Sequence, residues 1–183
     1  NSMTVRITKP AFNLREKLTE LDYSQVPYEK MPSGSVVQYV QASHLRMTQR
    51  FTTASTSYQA TNYDLTIAPK SIHNKILIYA NLSAHCNNNQ YIYVRVYNVT
   101  AARYVNHDRA VFHDGMYESA AGGDSQWMML PIEAVDKPES TLPQTYRLYI
   151  RSSGNSGTAY AGWSSSAPNT NNMNFMSATE YKQ

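Results

Sequence analysis

The sequence lacks the features that mark several large classes of protein. It has one cysteine, Cys86, so a framework of intrachain disulfides is excluded. Only 16% of the 183 residues are charged, and the net charge is +3 without any block of Lys and Arg. We therefore expect no nucleic-acid partner. No apolar run approaches the ~20 residues of a membrane span, and no leader peptide is recognisable, so we expect no membrane insertion and no export.

Hydrophobic residues make up 42% of the chain, enough for a packed core. After Gly34, segments with strand character recur at intervals of roughly 8–12 residues, separated by clusters of Ser, Asn, Gly and Pro. They are residues 35–42, 47–54, 58–67, 75–85, 90–99, 103–112, 126–135, 145–152, 157–163 and 174–181. The pattern predicts an all-β fold, an antiparallel jelly-roll β-sandwich over residues 34–183. Cys86 is expected to be a small, half-buried hydrophobic residue at a strand end.

Residues 1–33 form a separate N-terminal arm in this interpretation. The first 30 residues hold nine charged side chains, out of 16 Lys and Arg and 13 Asp and Glu in the whole chain. Asn13 is a good N-cap, and Glu16 follows at capping-box spacing. The helix predicted over about 14–22 has an apolar stripe of Leu14, Leu18 and Leu21. Because so short a helix is unstable alone in water, we expect it to pack on copies of itself or on another protein.

Residues that could support catalysis or metal binding form no convincing set. The chain has no G-x-S-x-G motif, and its acidic residues cannot be paired from sequence at the ~5–9.5 Å that glycoside hydrolysis needs. His107 and His113 share strand parity, but six residues of extended strand span about 20 Å. One ion within one chain cannot bridge that distance, although a site across subunits stays open. We expect no enzyme activity, no cofactor and no metal.

Tyrosine and arginine occupy the outward face of three predicted strands, where a wet face usually carries Lys, Glu, Ser or Thr. Strand 90–99 alternates these residues with Ile92, Val94 and Val96, and strand 145–152 alternates them with Tyr146, Leu148 and Ile150. Because Tyr and Arg are enriched at interfaces, we expect a homotrimer interface. The alternative is a solvent-exposed face on which tyrosines have no partner-binding role. The predicted interface residues are Tyr79, Tyr91, Tyr93, Arg95, Tyr97, Arg147, Tyr149 and Arg151. A desolvated arginine there would need an acceptor, which a neighbouring subunit is expected to supply.

Two loop features suggest a ligand site. Asn87, Asn88 and Asn89 form a polar loop between strands, and Trp163 adjoins a loop rich in Ser and Asn. Trp163 could stack on a sugar, or it could pack against the end of the hydrophobic core. Both interpretations stay open. A host-surface glycan is the ligand class that these residues suggest.

The stretch TVRITKPAFNLREKLTELDYSQVPYEKMPSGSVVQ, residues 4–38, resembles an N-terminal segment of virion proteins from tailed phages, mainly cyanophages and their relatives. ITKPAFNLREKLTELD and PSGSVVQ carry the match. The β-segments are similar in order too, with N-K-I-L-I at 74–78, T-Y-R-L-Y-I at 145–150 and a closing strand that ends in SATEY. The resemblance implies a structural protein of the virion, such as a fibre, spike or head-surface protein, without catalytic residues.

Two functions from different classes are compatible with these sequence features. The first is a virion structural protein that contributes to host-surface adhesion or particle stabilisation. It would be a trimer, with a jelly roll of the tumour-necrosis-factor or complement-C1q kind, attached to other virion proteins through Leu14, Leu18 and Leu21. The alternatives are a lectin-like carbohydrate-binding module and a polysaccharide-degrading tail-spike enzyme.

Overall fold

The computed structural model describes residues 27–42, 51–86, 91–105, 115–118, 128–154, 156–162 and 174–183. Internal contacts divide the chain into two units, Asn1–Pro32 and Ser33–Gln183. The described residues of the first unit form one short 3-10 helix, Tyr28–Lys30, without buried side chains. The predicted helix at 14–22, with Leu14, Leu18 and Leu21, lies outside the described residues. Within the described ranges, no helix is long and apolar enough to cross a membrane.

The second unit is built from β-strands in two antiparallel sheets. The first sheet contains β1 (Val36–Gln41), β2 (Phe51–Thr53), β4 (Lys75–Cys86), β8 (Met128–Asp136), β10 (Ala159–Ala161) and β11 (Phe175–Tyr181). The second sheet contains β3 (Gln59–Ile67), β5 (Tyr91–Asn98), β6 (Arg103–Tyr104), β7 (Gly115–Glu118) and β9 (Gln144–Ser152).

The order of strands within the sheets is that of a jelly roll. In the first sheet β8 pairs with one edge of β4. The other edge of β4 pairs first with β11 and, farther along, with β10. β1 pairs with the outer edge of β11, and β2 with the outer edge of β10. In the second sheet the order is β3-β9-β5, with β6 and β7 sharing the remaining side of β5. The chain crosses between the sheets at β2–β3, β3–β4, β4–β5, β7–β8, β8–β9 and β9–β10, as expected of two Greek keys. The predicted fold class is confirmed.

Alternation of apolar and polar residues explains why the sandwich forms. In β4, β5 and β9 every second side chain is buried between the sheets, because successive residues of a strand point to opposite faces. The buried set includes Ile76, Ile78, Ala80, Leu82, Ile92, Val94, Val96, Tyr146, Leu148 and Ile150, as the sequence predicted. Met176 and Ala178 of β11 complete the first sheet's inner face.

The strand pairings define the two ends of the sandwich. β1 begins at Val36 opposite Tyr181, and β4 begins at Lys75 opposite the same residue. We call this the proximal end, because the chain enters β1 there. The loops 68–74, 99–102 and 137–143 join strands at the proximal end. Cys86, Tyr91, Gly162 and Asn174 lie at the opposite, distal end.

Several strand predictions need correction. β7, Gly115–Glu118, was not predicted, because Asp114-Gly115 has the composition of a turn and the strand is too short to show a period. Within the predicted strands 103–112 and 47–54, the structure has Arg103–Tyr104 and Phe51–Thr53 as strands, and residues 106–112 and 47–50 lie outside the described residues. Cys86 is completely buried, not half-buried, with its Sγ 3.8 Å from Ser152 Oγ.

Candidate functional site

The outward face of the second sheet carries tyrosines and arginines in register. Across β5 and β9, Tyr93 lies opposite Arg151, Arg95 opposite Tyr149, and Tyr97 opposite Arg147. Each pair therefore sets a tyrosine opposite an arginine, and cross-strand neighbours of these types attract one another where ring and guanidinium meet. All six side chains are partly exposed, and the residues between them are buried.

The rings and guanidinium groups stack into one continuous surface. The Arg151 Cζ lies 3.9 Å from the centroid of the Tyr93 ring and 5.2 Å from that of Tyr58. The Arg95 Cζ lies 4.9 Å from the Tyr58 centroid and 5.3 Å from that of Tyr104. We call this the tyrosine–arginine surface; it consists of Tyr58, Tyr93, Arg95, Tyr97, Tyr104, Tyr149 and Arg151.

Ring-to-ring contacts extend the surface across β5, β6 and β9. The Tyr97 centroid is 4.7 Å from that of Tyr149 and 5.0 Å from that of Tyr104. The Tyr104–Tyr149 pair, at 6.0 Å, is edge-to-face. Such pairs are worth ~0.5–1.5 kcal/mol each beyond the area they bury. The surface is therefore held in shape by its own contacts.

Tyr58 and Tyr104 belong to this surface although the sequence did not assign them to it. Tyr58 immediately precedes β3, and Tyr104 lies in β6 opposite Tyr97. The sequence shows how side chains alternate along each strand. It does not show the register between strands that lie far apart in the chain. The chain's 15 tyrosines were the available signal, and they do not indicate which tyrosines meet.

Arg147 takes its acceptor from its own chain. Its Nε donates to Asp64 Oδ2 at 3.1 Å, and its Nη2 donates to the same oxygen. The two side chains are 32% and 38% exposed, so the ion pair contributes about 1 kcal/mol at most. Arg147 therefore needs no acceptor from a neighbouring subunit, because β3 places Asp64 opposite it.

The structure separates Tyr79 from the other predicted interface residues. Tyr79 is an outward residue of β4 in the first sheet, where its ring centroid lies 5.4 Å from that of Phe175. It therefore faces away from the tyrosine–arginine surface, on the other side of the sandwich. Tyr91 lies on the outward face of β5 at the distal end, where its backbone N–H donates to Ser153 Oγ at 2.9 Å.

Other predicted site residues lie outside the described residues. They are Asn87, Asn88, Asn89, Trp163, His107 and His113. Among the residues that the structure does describe, no group of three His, Cys, Asp or Glu side chains is placed to hold a metal ion.

Two buried carboxylates flank β4 near the proximal end. Asp136 of β8 and Glu180 of β11 both lie opposite Ile76, which sets their Cα atoms about 10 Å apart by strand spacing. The two catalytic acids of a glycosidase lie at a comparable separation. Asp136 is 2% exposed and Glu180 is 0% exposed, so a sugar cannot reach either carboxyl group.

Asp136 is held by donors from the second sheet. Its Oδ2 accepts from Tyr146 Oη and from Asn98 Nδ2, both at 2.9 Å, and its Oδ1 accepts from Arg103. Burial, and then the charge of Asp136, raise the pKa of Tyr146, so this phenol stays protonated and donates. The network joins the two sheets and leaves Asn98, which begins an Asn-Val-Thr glycosylation pattern, completely buried.

Glu180 is held without a cation among the contacts that the structure describes. Its Oε1 accepts from Asn74 Nδ2 at 2.6 Å and from the backbone N–H of Lys70 at 2.7 Å. Its Oε2 accepts from Gln38 Nε2. The carboxylate thus fastens the loop 68–74 to β1 and β11.

Comparison with known proteins adds little to this geometry. No protein-family profile matches the chain, and no curated protein matches it. Among solved structures, the chain is similar to the crystal structure of the infectious bursal disease virus VP2 subviral particle, at 12% identity and a TM-score of 0.36. The match covers 86% of this chain and 41% of that one, so the chain spans less than half the length of its neighbour. The jelly-roll assignment therefore rests on the strand order and register described above.

Proposed function

We propose that this protein is a structural component of a phage virion, either a fibre, a spike or a head-surface protein, and that it acts without catalysis. The observation that carries the proposal is the resemblance of residues 4–38 to the N-terminal segment of tailed-phage virion proteins. The PSGSVVQ part of that segment leads directly into β1, which begins at Val36. The segment that carries the resemblance therefore ends in the first strand of the sandwich.

The proposed assembly is a homotrimer packed through the tyrosine–arginine surface about a three-fold axis, as in jelly rolls of the tumour-necrosis-factor or C1q kind. Rigid aromatic rings and arginines are the side chains that most often dominate interface energies. Each 100 Å² of apolar ring area buried would contribute about 2.5 kcal/mol. The stacking contacts within one chain support this proposal, because a surface already in shape loses little side-chain entropy on association.

The N-terminal arm is proposed to attach the trimer to the particle through Leu14, Leu18 and Leu21, leaving the sandwich to stabilise the particle or to contact the host surface. Sedimentation equilibrium of the full chain is expected to give three times the chain mass. Deleting residues 1–30 is expected to leave a folded sandwich that no longer enters particles. A monomeric full chain would refute the trimer, and normal incorporation of the truncated protein would refute the role of the arm.

A second candidate function is binding of an acidic host-surface glycan on the tyrosine–arginine surface. Arg151 favours it, because among the described residues its guanidinium contacts only the two rings and, at 3.4 Å, the Ser152 carbonyl. Binding of acidic but not neutral polysaccharide by the wild type, lost in Arg151→Gln, would support this candidate. Release of reducing ends during the same incubation would instead indicate a depolymerase.

A further inference from the structure

Exposed apolar side chains are unevenly distributed over the sandwich. Among the described residues, six large hydrophobic side chains are exposed. Four of them lie at the proximal end: Leu142 is 68% exposed, Val36 50%, Ile72 48% and Val99 37%. The other two, Tyr39 and Met129, lie on the outward face of the first sheet. Among the described residues, most of the exposed large hydrophobic side chains therefore lie at the proximal end.

The three proximal loops lie side by side. The backbone N–H of Val99 donates to the Thr145 carbonyl at 2.7 Å, and the N–H of Thr145 donates to Thr100 Oγ1 at 3.1 Å. Ile67, after which loop 68–74 begins, pairs with Gln144, two residues from Leu142. Ile72, Val99 and Leu142 thus project from neighbouring loops at one end.

Buried carboxylates hold these loops in place. Glu180 fixes loop 68–74 through Lys70 and Asn74, and Asp136 fixes the loops around it through Asn98 and Arg103. Loops held this way lose little conformational entropy when they bind. The apolar side chains at their tips are therefore presented in a preformed arrangement.

The charge around the loop tips indicates the chemistry of a partner. Lys70 and Lys137 are exposed and Lys75 and Lys182 are half-buried at this end, against one exposed carboxylate, Glu139, among the described residues. A second copy of the same end would bring these lysines together, which disfavours self-association through it. An apolar protein surface with an acidic rim is complementary to it.

The position at which the chain reaches β1 indicates where that partner lies. The backbone N–H of Gly34 donates to the Lys182 carbonyl at 2.7 Å, so the chain joins the sandwich at the proximal end. The chain therefore enters the sandwich at the same end as the exposed loop tips.

We infer that the proximal end of the sandwich, through Ile72, Val99 and Leu142, rests on the virion protein to which the N-terminal arm attaches. This inference deepens the proposed function and depends on it. Its partner is a particle protein with an apolar, acid-rimmed surface. The arm and the loop tips would then make two linked contacts, so that each raises the effective concentration of the other.

The test uses full-length variants, each produced in place of the wild-type protein during growth of the particles. The measured quantity is the number of copies of each variant per purified particle. Ile72→Asp with Leu142→Asp is expected to lower the copy number at least tenfold. The matched control, Tyr39→Asp with Met129→Asp, adds the same charge at two exposed apolar positions on the first sheet and should leave the copy number unchanged. Equal melting temperatures of the two double variants establish that folding is intact. If the variant with Ile72→Asp and Leu142→Asp melts at a lower temperature, the single variant Leu142→Ser is tested in its place.

The outcomes separate the inference from the proposed function. Normal incorporation of the Ile72 and Leu142 variant, with incorporation abolished by deletion of residues 1–30, overturns the inference and leaves the virion role standing. Absence of the wild-type protein from particles overturns the proposed function itself. Binding of the wild type to phosphatidylglycerol vesicles, lost in the Ile72 and Leu142 variant, would assign the proximal end to a lipid surface and also overturn the inference.

Discussion

Removing the Glu180 carboxylate should destabilise the sandwich measurably. Glu180→Ala leaves Asn74 Nδ2, in a completely buried residue, and the Lys70 N–H without their acceptor. Gln38 Nε2 keeps a partner, because it also donates to the Ala68 carbonyl at 2.6 Å. Two unsatisfied donors cost roughly 1–3 kcal/mol each. Relief of the carboxylate's desolvation offsets part of this, so we expect a loss of about 3 kcal/mol.

For a chain of this size, a loss of about 3 kcal/mol corresponds to a fall in Tm of roughly 6–12 °C. Thermal unfolding followed by circular dichroism measures it directly. Glu133→Ala is the control, because Glu133 is exposed in β8 of the same sheet, and it should change stability by less than about 0.5 kcal/mol. Glu180→Gln should fall between the two, since its Oε1 still accepts from Lys70 and Asn74. If Glu180→Ala melts with the control, Glu180 does not fasten the loop 68–74.

Three further predictions concern other parts of the sandwich. Tyr93→Asp should dissociate the proposed trimer while the fold survives; sedimentation of an unchanged trimer would count against this interface. Arg147→Ala and Asp64→Ala should couple by no more than about 1 kcal/mol in a double-mutant cycle of urea unfolding, because the pair is partly exposed; strong coupling would mean that it is desolvated. Burial raises the pKa of Tyr63 and Tyr146 above the ordinary value of ~10, so their contribution to stability is complete below pH ~10 and is lost as the pH rises further. Phenolate absorbance should therefore show some tyrosines ionising only on alkaline unfolding, and titration of every tyrosine near pH 10 in the folded state would contradict this.

The architecture was predictable because the central strands have both faces defined by their own residues. In β5 and β9 the alternation is strict, so local sequence assigns each side chain to the core or to the outside. The same alternation predicts that Arg95 and Tyr149 point outward. It does not predict that they lie opposite one another, since register depends on how strands distant in sequence align.

The parts of the site that were missed depend on such distant alignment. Asp64 meets Arg147 from 83 residues away, and Tyr58 reaches Arg95 from a segment before β3. The sequence predicts correctly that Tyr79 points outward. It does not show that Tyr79 belongs to the first sheet, and not to the sheet of β5 and β9. Outward parity alone does not distinguish the two outer faces of a sandwich.

The buried carboxylate of β11 left a signal in the parity of its strand. Within β11, Met176, Ala178 and Glu180 alternate toward the core, so a carboxylate falls at an inward position next to the strand end. A charged residue at core parity must be hydrogen-bonded or paired. The sequence cannot identify the donors, because they come from loop 68–74 and from β1.

The pairing of β1 with β11 has a consequence for how the protein is made. β1 is the first strand of the sandwich to leave the ribosome, yet its hydrogen-bonding partner is β11, whose residues follow about 135 positions later. At 5–20 residues per second, β1 therefore waits on the order of ten seconds without a partner. Because β11 also pairs with β4, its arrival completes the first sheet and places Glu180 against loop 68–74 in the same step. The sandwich thus closes after synthesis of its last strand, and until then the unpaired edges of β1 and β4 are open to chaperones or to other nascent copies of the chain.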